Sequence, residues 1–299
     1  MTRNSKPILL VTGAGGHLGR RVVELLIEAK AGPVIATTRL PEKLADLAAK
    51  GVDVRKADFD DPTSLAAAFA GADRLLLVST DAVGRPGGRH AHHRAAIEAA
   101  VQAGVSHVVY TSSPAPHPTA EESVPNDHYW TEQALAASPL GWTVLRNNIY
   151  AEIILMGLPQ AVASGQLFTA TRNGGRNYVT REDCARAAAA ALAADFDGRR
   201  ILDVTGPEPV TQDEIAAIAS EIAGRPVRHV SVDPADLQKG LIAAGLPQIY
   251  ADLLVEYDVD AAEGCHAIAT PTVKELTGRE PTPIRDFLAA QRAALVAAA

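Results

Sequence analysis

Gly13, Gly16 and Gly19 recur every third residue in the segment VTGAGGHLGR, directly after an apolar run and at the opening of a helical pattern. Glycine in such a place lets a strand turn sharply into a helix and leaves no Cβ between the backbone and an approaching group. The amides from Gly13 through Ala14, Gly15, Gly16, His17 and Leu18 to Gly19 then surround a helix N-terminus, where orphan N–H groups attract a phosphate. A glycine triad between a strand and a helix fits a dinucleotide pyrophosphate. The alternative is a turn that only packs helix against strand.

The next strand speaks to which dinucleotide. Sites for NAD place Asp or Glu roughly 20 residues on, to accept from the ribose 2′-OH. Here that strand ends Thr37–Thr38–Arg39, and no carboxylate lies between Glu28 and Glu42. A planar guanidinium suits a 2′-phosphate, so NADPH is favoured over NADH; otherwise Arg39 is a solvated surface residue.

Candidate reacting side chains cluster at His128, Tyr129 and Trp130, which Tyr150 and Tyr178 could join. Hydride addition to a carbonyl is helped by a tyrosine with a lysine four residues later, which lowers the phenol pKa for proton donation to the alkoxide. Tyr129 has Gln133 at that place, and no lysine occurs between Lys56 and Lys239. Hydride addition to a quinone gives a phenolate whose conjugate acid has a pKa near ~10, close to that of a tyrosine phenol. Water can protonate it afterwards. The missing lysine therefore favours flat conjugated acceptors, for which His128 could still supply a proton or hydrogen bond. The plainer reading makes Tyr129 and Trp130 core residues of a helix over 126–138. His90, His92 and His93 lack an acidic or cysteine partner at metal-ligand spacing and read as a solvated helix start. Cys184 reads as a small core residue.

The elements that must carry these residues alternate. Strand-like runs occur at 7–12, 33–38, 52–57, 73–80, 106–112 and 142–147, with helical spacing at 17–30, 41–50, 62–70, 88–103 and 126–138. Such alternation predicts a doubly wound α/β fold of the Rossmann type, with parallel strands and right-handed crossovers. Asp61–Pro62 reads as a helix start. Beyond residue 150 come a helix over 150–164, a hairpin-like piece around Asn173–Gly174–Gly175, an alanine-rich helix from Thr180 and a late strand over 199–206. Thr211 and Glu214 form a capping box for a helix over 212–223. The rest is helical, broken at Pro247, Pro271, Pro281 and Pro283. The expected organisation is a dinucleotide-binding domain over 1–150, rejoined by the strand at 199–206, interleaved with a smaller, mostly helical substrate domain over 151–299.

Composition narrows the partners. The 299 residues carry a net charge of −7, which disfavours nucleic acid and anionic membrane as main partners. Two cysteines make no disulfide framework, and no apolar run reaches the roughly 20 residues of a membrane span. A cytoplasmic protein acting on a small molecule is expected, with a homodimer left open.

Together, TGAGGHLG, Arg39, ADFDD after the third strand, LLLVST at the fourth, AGVSHVVYTSS at the fifth, LRNNIYAE at the sixth and GLP at 245–247 carry a resemblance. The chain resembles the NmrA-like, atypical branch of the short-chain dehydrogenase/reductase superfamily, and within it the bacterial NADPH:quinone oxidoreductases. The branch also holds triphenylmethane-dye reductases and NADP-binding redox sensors. The resemblance implies that Gly13 to Gly19 bind the pyrophosphate and Arg39 the 2′-phosphate. It places Asp58 and Phe59 at the adenine, Ser79 and Thr80 at the central ribose and phosphates, and Asn147, Tyr150 and Glu152 at the nicotinamide. Asp58 has an alternative as a turn residue before Asp61–Pro62. Related quinone reductases often keep a lysine near Gln133, so this chain departs from them there. The leading expectation is an NADPH-dependent oxidoreductase for quinones or similar acceptors. Its rivals are a carbonyl or imine reductase using Tyr129 or His128, and a non-catalytic NADP(H) sensor.

Overall fold

The computed structural model describes residues 6–83, 85, 88–119 and 123–297. Among the described residues there are nine strands: β1 Leu9–Val11, β2 Val34–Thr38, β3 Asp53–Lys56, β4 Arg74–Leu77, β5 His107–Ser112, β6 Gly141–Asn147, β7 Gln166–Thr169, β8 Arg199–Val204 and β9 Arg228–Ser231. Helices α1 His17–Glu28, α2 Ala45–Ala48, α3 Thr63–Phe69, α4 Gly88–Gln102 and α5 Val124–Ala137 alternate with the first six strands. They are followed by α6 Leu158–Ser164, α7 Arg181–Ala193, α8 Gln212–Ala223 and five further helices between Pro234 and Val296.

Seven strands form one sheet in the order β3-β2-β1-β4-β5-β6-β8. The six before β8 pair parallel, with Leu10 opposite both Ile35 and Leu75. Strands such as LLV and RLLL are buried along their whole length, as parallel strands covered on both faces must be. The order reverses between β1 and β4, and the crevice outside the carboxyl ends of strands at such a reversal is where doubly wound sheets bind ligands.

The chain forms two compact units. The first is Met1–Arg146 with Cys184–Asp203, its core including Leu10, Phe69, Leu75, Tyr110 and Leu135. The second is Asn147–Asp183 with Val204–Ala299; it holds the β7-β9 pair and a core around Leu158, Val162, Ile215 and Leu288.

Several elements differ from the sequence expectation for local reasons. The stretch 41–50 is a 3₁₀ turn at Pro41–Leu44 running into the four-residue α2. The stretch 150–164 is a 3₁₀ turn at Ala151–Met156 and then α6, because Pro159 lacks the N–H that would continue one helix and instead starts another. No hairpin forms at Asn173–Gly175. A Cβ on Gly174 would lie 2.0 Å from the carbonyl oxygen of Ala261, so this glycine serves close packing. Pro62 is the residue before α3, and Asp61 accepts from the Thr63 amide at 3.2 Å. The capping box is present: Thr211 Oγ1 accepts from Glu214 N at 3.3 Å, and Glu214 Oε2 from Thr211 N at 2.8 Å.

Candidate functional site

The glycine turn is built from β1 outward. Gly13 takes φ +61°, a left-handed conformation that side chains disfavour, and its carbonyl accepts the Gly16 amide at 2.9 Å. α1 starts at His17, with Gly16 at its N-cap position and no side chain capping it. A Cβ on Gly19 would stand 2.5 Å from Gly13 O, so only glycine lets the helix approach its own turn this closely. Ala14 and Leu18 are buried behind the turn, and His17 is exposed. A Cβ on Gly16 meets nothing nearer than Gly13 O at 3.4 Å; the fold leaves the space before this amide open.

That space belongs to a cavity of about 770 Å³ lined by Gly13, Gly15, Gly16, Arg39, Asp58, Phe59, Ser79 and Thr80, among others. Eight of the residues singled out from the sequence are thus brought together on one wall system. Lys43 also lines it, four residues after Arg39, as do Thr37 and Thr38. Arg39 and Lys43 have no side-chain partner among the described residues, leaving two cations available to an anion. Asp58 is a turn residue, its Oδ1 accepting the Asp60 amide at 3.1 Å, and it also lines the cavity. Asp60 accepts from Arg85 at 2.7 Å and bonds His92 Nε2 at 3.1 Å, and the Arg85 hydrogen bond holds its carboxyl below the usual range. Arg85, Asp60 and His92 were not apparent from sequence, since nothing in their spacing joins three separate segments.

These features fit an NADP(H) molecule. The open space at Gly16 abuts a helix N-terminus, unpaired cations are present, and the volume lies within the roughly 300–1,000 Å³ of small-molecule sites.

The reacting cluster does not assemble as expected. His128 is 4% exposed and spends both ring nitrogens inside the protein, 2.7 Å from Tyr110 Oη and 3.0 Å from Arg89 Nη2. A guanidinium only donates, so Nε2 accepts and the neutral imidazole carries its proton on Nδ1. Burial, then the nearby Arg89 charge, pushes its pKa well below the usual value. His128 is therefore part of the interior, with both ring nitrogens engaged there. Tyr129 is half-buried and stacks edge-on against Trp130 at 5.1 Å; Trp130 is 45% exposed, which rules out the core reading for it. His93 is also fully buried, not solvated, because it shares the inward stripe of α4 with Arg89, Ala96, Ile97 and Ala100. Tyr178 is buried and its hydroxyl accepts from Gln212 at 2.8 Å, so it belongs to the second unit's core. Cys184 is buried on the alanine-rich α7.

Near Tyr129, Glu132 is 7% exposed and accepts from Ser112 Oγ at 2.7 Å and from Arg146 at 3.0 and 2.7 Å. This ties the ends of β5 and β6 to α5. Asn147, Tyr150 and Glu152 fall in the second unit. Asn147 Nδ2 donates to Tyr150 Oη at 3.2 Å, while its Oδ1 is buried without a hydrogen-bond partner among the described residues. Glu152 uses both carboxylate oxygens on the Arg181 amide at 3.1 and 3.2 Å, acting as a cap on α7.

Comparison with known proteins places the chain. The model of the NAD(P)H-binding family matches residues 13–195. Quinone oxidoreductase 2 of Escherichia coli is 33% identical over 93% of this chain and 96% of its own; the structure of the NADPH complex superposes with a TM-score of 0.88 over 95% and 99%. Citrobacter sp. triphenylmethane reductase, complexed with NADP(H), is 31% identical with a TM-score of 0.87 over 95% and 99%. An NmrA-like family domain-containing oxidoreductase of Aspergillus flavus is 32% identical over 93% and 92%. No helix among the described residues is long and apolar enough to cross a membrane. The chain belongs to the NAD(P)H-binding, NmrA-like family and is an NAD(P)H-dependent oxidoreductase acting on a small molecule.

Proposed function

We propose that this protein reduces quinones or similar flat conjugated acceptors, with NADPH preferred over NADH. The observation that carries the acceptor class is that neither proton donor expected from the sequence is set up as one: Gln133 stands where a lysine would activate Tyr129, and both ring nitrogens of His128 are engaged in the interior. An alkoxide product needs an acid in the transition state, whereas a hydroquinone anion is stable enough to take its proton from water. The quinone and dye relatives, each named for a conjugated acceptor, support the same class.

In this reading the first unit binds the adenosine and phosphate part of the cofactor. Gly13 to Gly19 hold the pyrophosphate, Arg39 with Lys43 the 2′-phosphate, Asp58 and Phe59 the adenine side, and Ser79 and Thr80 the central ribose and phosphates. Asn147, through its unpartnered Oδ1, is assigned to orient the carboxamide, with Tyr150 holding its amide nitrogen. NADPH supplies the hydride when bound. The chain's own contribution is proximity and orientation, together with the aromatic surface of Tyr129 and Trp130. The test is NADPH oxidation on adding a benzoquinone, beside a triarylmethane dye and an aryl ketone. Turnover of the quinone or dye in preference to the ketone is expected. Binding of NADPH with no turnover of any acceptor overturns the proposal in favour of a sensor.

A further inference from the structure

β4 ends at Leu77, and the next three amides have no strand to bond. Each is captured by a side chain instead: Val78 N–H by Thr12 Oγ1 at 2.9 Å, Ser79 N–H by Thr111 Oγ1 at 2.9 Å and Thr80 N–H by His93 Nε2 at 3.0 Å. The acceptors come from three places, the turn after β1, strand β5 and helix α4. Val78, Ser79 and Thr80 all line the cavity, so these bonds set the shape of one of its walls.

The third acceptor differs in kind from the other two. Thr12 and Thr111 are hydroxyls, free to rotate between partners, as Thr12 also donates to Leu76 O at 3.1 Å. An imidazole nitrogen accepts only while its proton sits on the other nitrogen. A backbone N–H only donates, so His93 Nε2 is the acceptor and Nδ1 bears the hydrogen. Nδ1 lies 2.9 Å from Thr131 Oγ1, whose own hydroxyl donates to Asp127 O at 2.7 Å. Behind the ring stand Tyr110 and His128, with Arg89 fixing the proton of His128 as described above. Both imidazoles are locked into one tautomer by obligate donors, with the proton on Nδ1 in each.

We propose that His93 is a positioning residue for NADPH: its Nε2, oriented by Thr131 and the Tyr110–His128–Arg89 set, fixes the Thr80 amide and so the cavity wall that carries the ribose and phosphates. His93 does not itself line the cavity. The inference rests on the assignment of that cavity to NADPH.

Three variants and one control test it by equilibrium NADPH fluorescence titration, with steady-state kinetics alongside. His93→Leu removes the acceptor, and the NADPH Kd should rise about tenfold, as expected when a part-buried amide loses its partner. His93→Gln keeps an acceptor oxygen and a donor, and should recover affinity to within about threefold of the parent. KM for NADPH should follow Kd, with kcat at saturating NADPH within about threefold of the parent. Parent affinity in His93→Leu overturns the inference, and so does an equal loss in the Leu and Gln variants. If His93→Leu does not fold, Thr131→Val decides, since it keeps the imidazole but frees its Nδ1. A Kd raised about threefold there supports the inference, and parent affinity overturns it. Gly16→Val is the control: if it keeps parent affinity, the cavity assignment falls and the inference with it. Weak binding in Gly16→Val beside parent binding in His93→Leu overturns the inference alone.

Discussion

Arg39 is exposed, lines the cavity and has no partner among the described residues, so its charge is available to whatever the cavity holds. Arg39→Asp removes a phosphate partner and adds a ribose 2′-OH acceptor; the change should move preference toward NADH by about 1.5–3 kcal/mol, the range for hydrogen bonds to charged groups. Titrating parent and variant with both cofactors checks this, and equal affinities in the parent would sink it. Tyr129→Phe probes the hydroxyl while keeping the ring beside Trp130. Without a lysine to activate it, quinone reduction should stay within about tenfold of the parent, roughly 1.4 kcal/mol. A positioned general acid would cost about 10²–10⁴-fold, so a loss of that size in kcat with unchanged NADPH binding would reassign Tyr129 as a proton donor. Gly13, Gly16, Gly19 and Arg39 were legible because strand, turn and helix fix their neighbourhood. Lys43, Arg85 and His92 were not, because only the folded chain brings these three separate segments to the same cavity.

Helices α4 and α5 show what sequence reading by hydrophobic period misses. The inward stripe of α4 runs through Arg89, His93, Ala96, Ile97 and Ala100, and that of α5 through Val124, His128, Thr131, Glu132 and Leu135. The spacing is helical in both, yet the α4 stripe is polar at its start and the α5 stripe polar between Val124 and Leu135, so neither helix shows an apolar face over its whole span. Following the apolar residues of each stripe backward by three and four would have placed His93 and His128 inside. The strands were easier, since LLV and LLLV have no polar alternation to mislead. Glu132 is the costly member of the α5 stripe. Its Arg146 partner is 27% exposed and its own side chain 7%, so removing one charge strands the other in a half-buried place. Glu132→Ala should lower stability by about 3 kcal/mol, since breaking a buried pair costs more than replacing it whole. The double variant Glu132→Leu with Arg146→Met should recover most of that loss. Denaturant titration of the three proteins decides it; a double variant no more stable than Glu132→Ala would refute the pairing argument.

At the scale of the whole molecule, the buried imidazoles make stability depend on pH well above the range of the carboxylates. His93, His107 and His128 in the first unit and His266 in the second are each at most 4% exposed. Burial, reinforced by Arg74 and Arg200, brings His107 to about 4, and burial with Arg176 does the same for His266. For His93 and His128 the shift runs in the same direction. Unfolded histidines titrate near 6.5, so between about pH 6.5 and 4 the unfolded chain takes up protons that the folded chain refuses. Stability conferred by these neutral rings is thus complete above about pH 6.5 and lost as pH falls toward 4. Each histidine contributes a slope of at most about 1.4 kcal/mol per pH unit. Asp46 and Asp60, whose hydrogen bonds to Arg20 and Arg85 hold them below their ordinary 3.8, begin to add their own loss only at the acid end of this window. Urea titrations between about pH 7 and 5 should therefore show falling stability, and His107→Gln should flatten the profile by close to one proton's worth. A parent profile that is level across that range would show that the buried rings find protonated forms the fold accommodates.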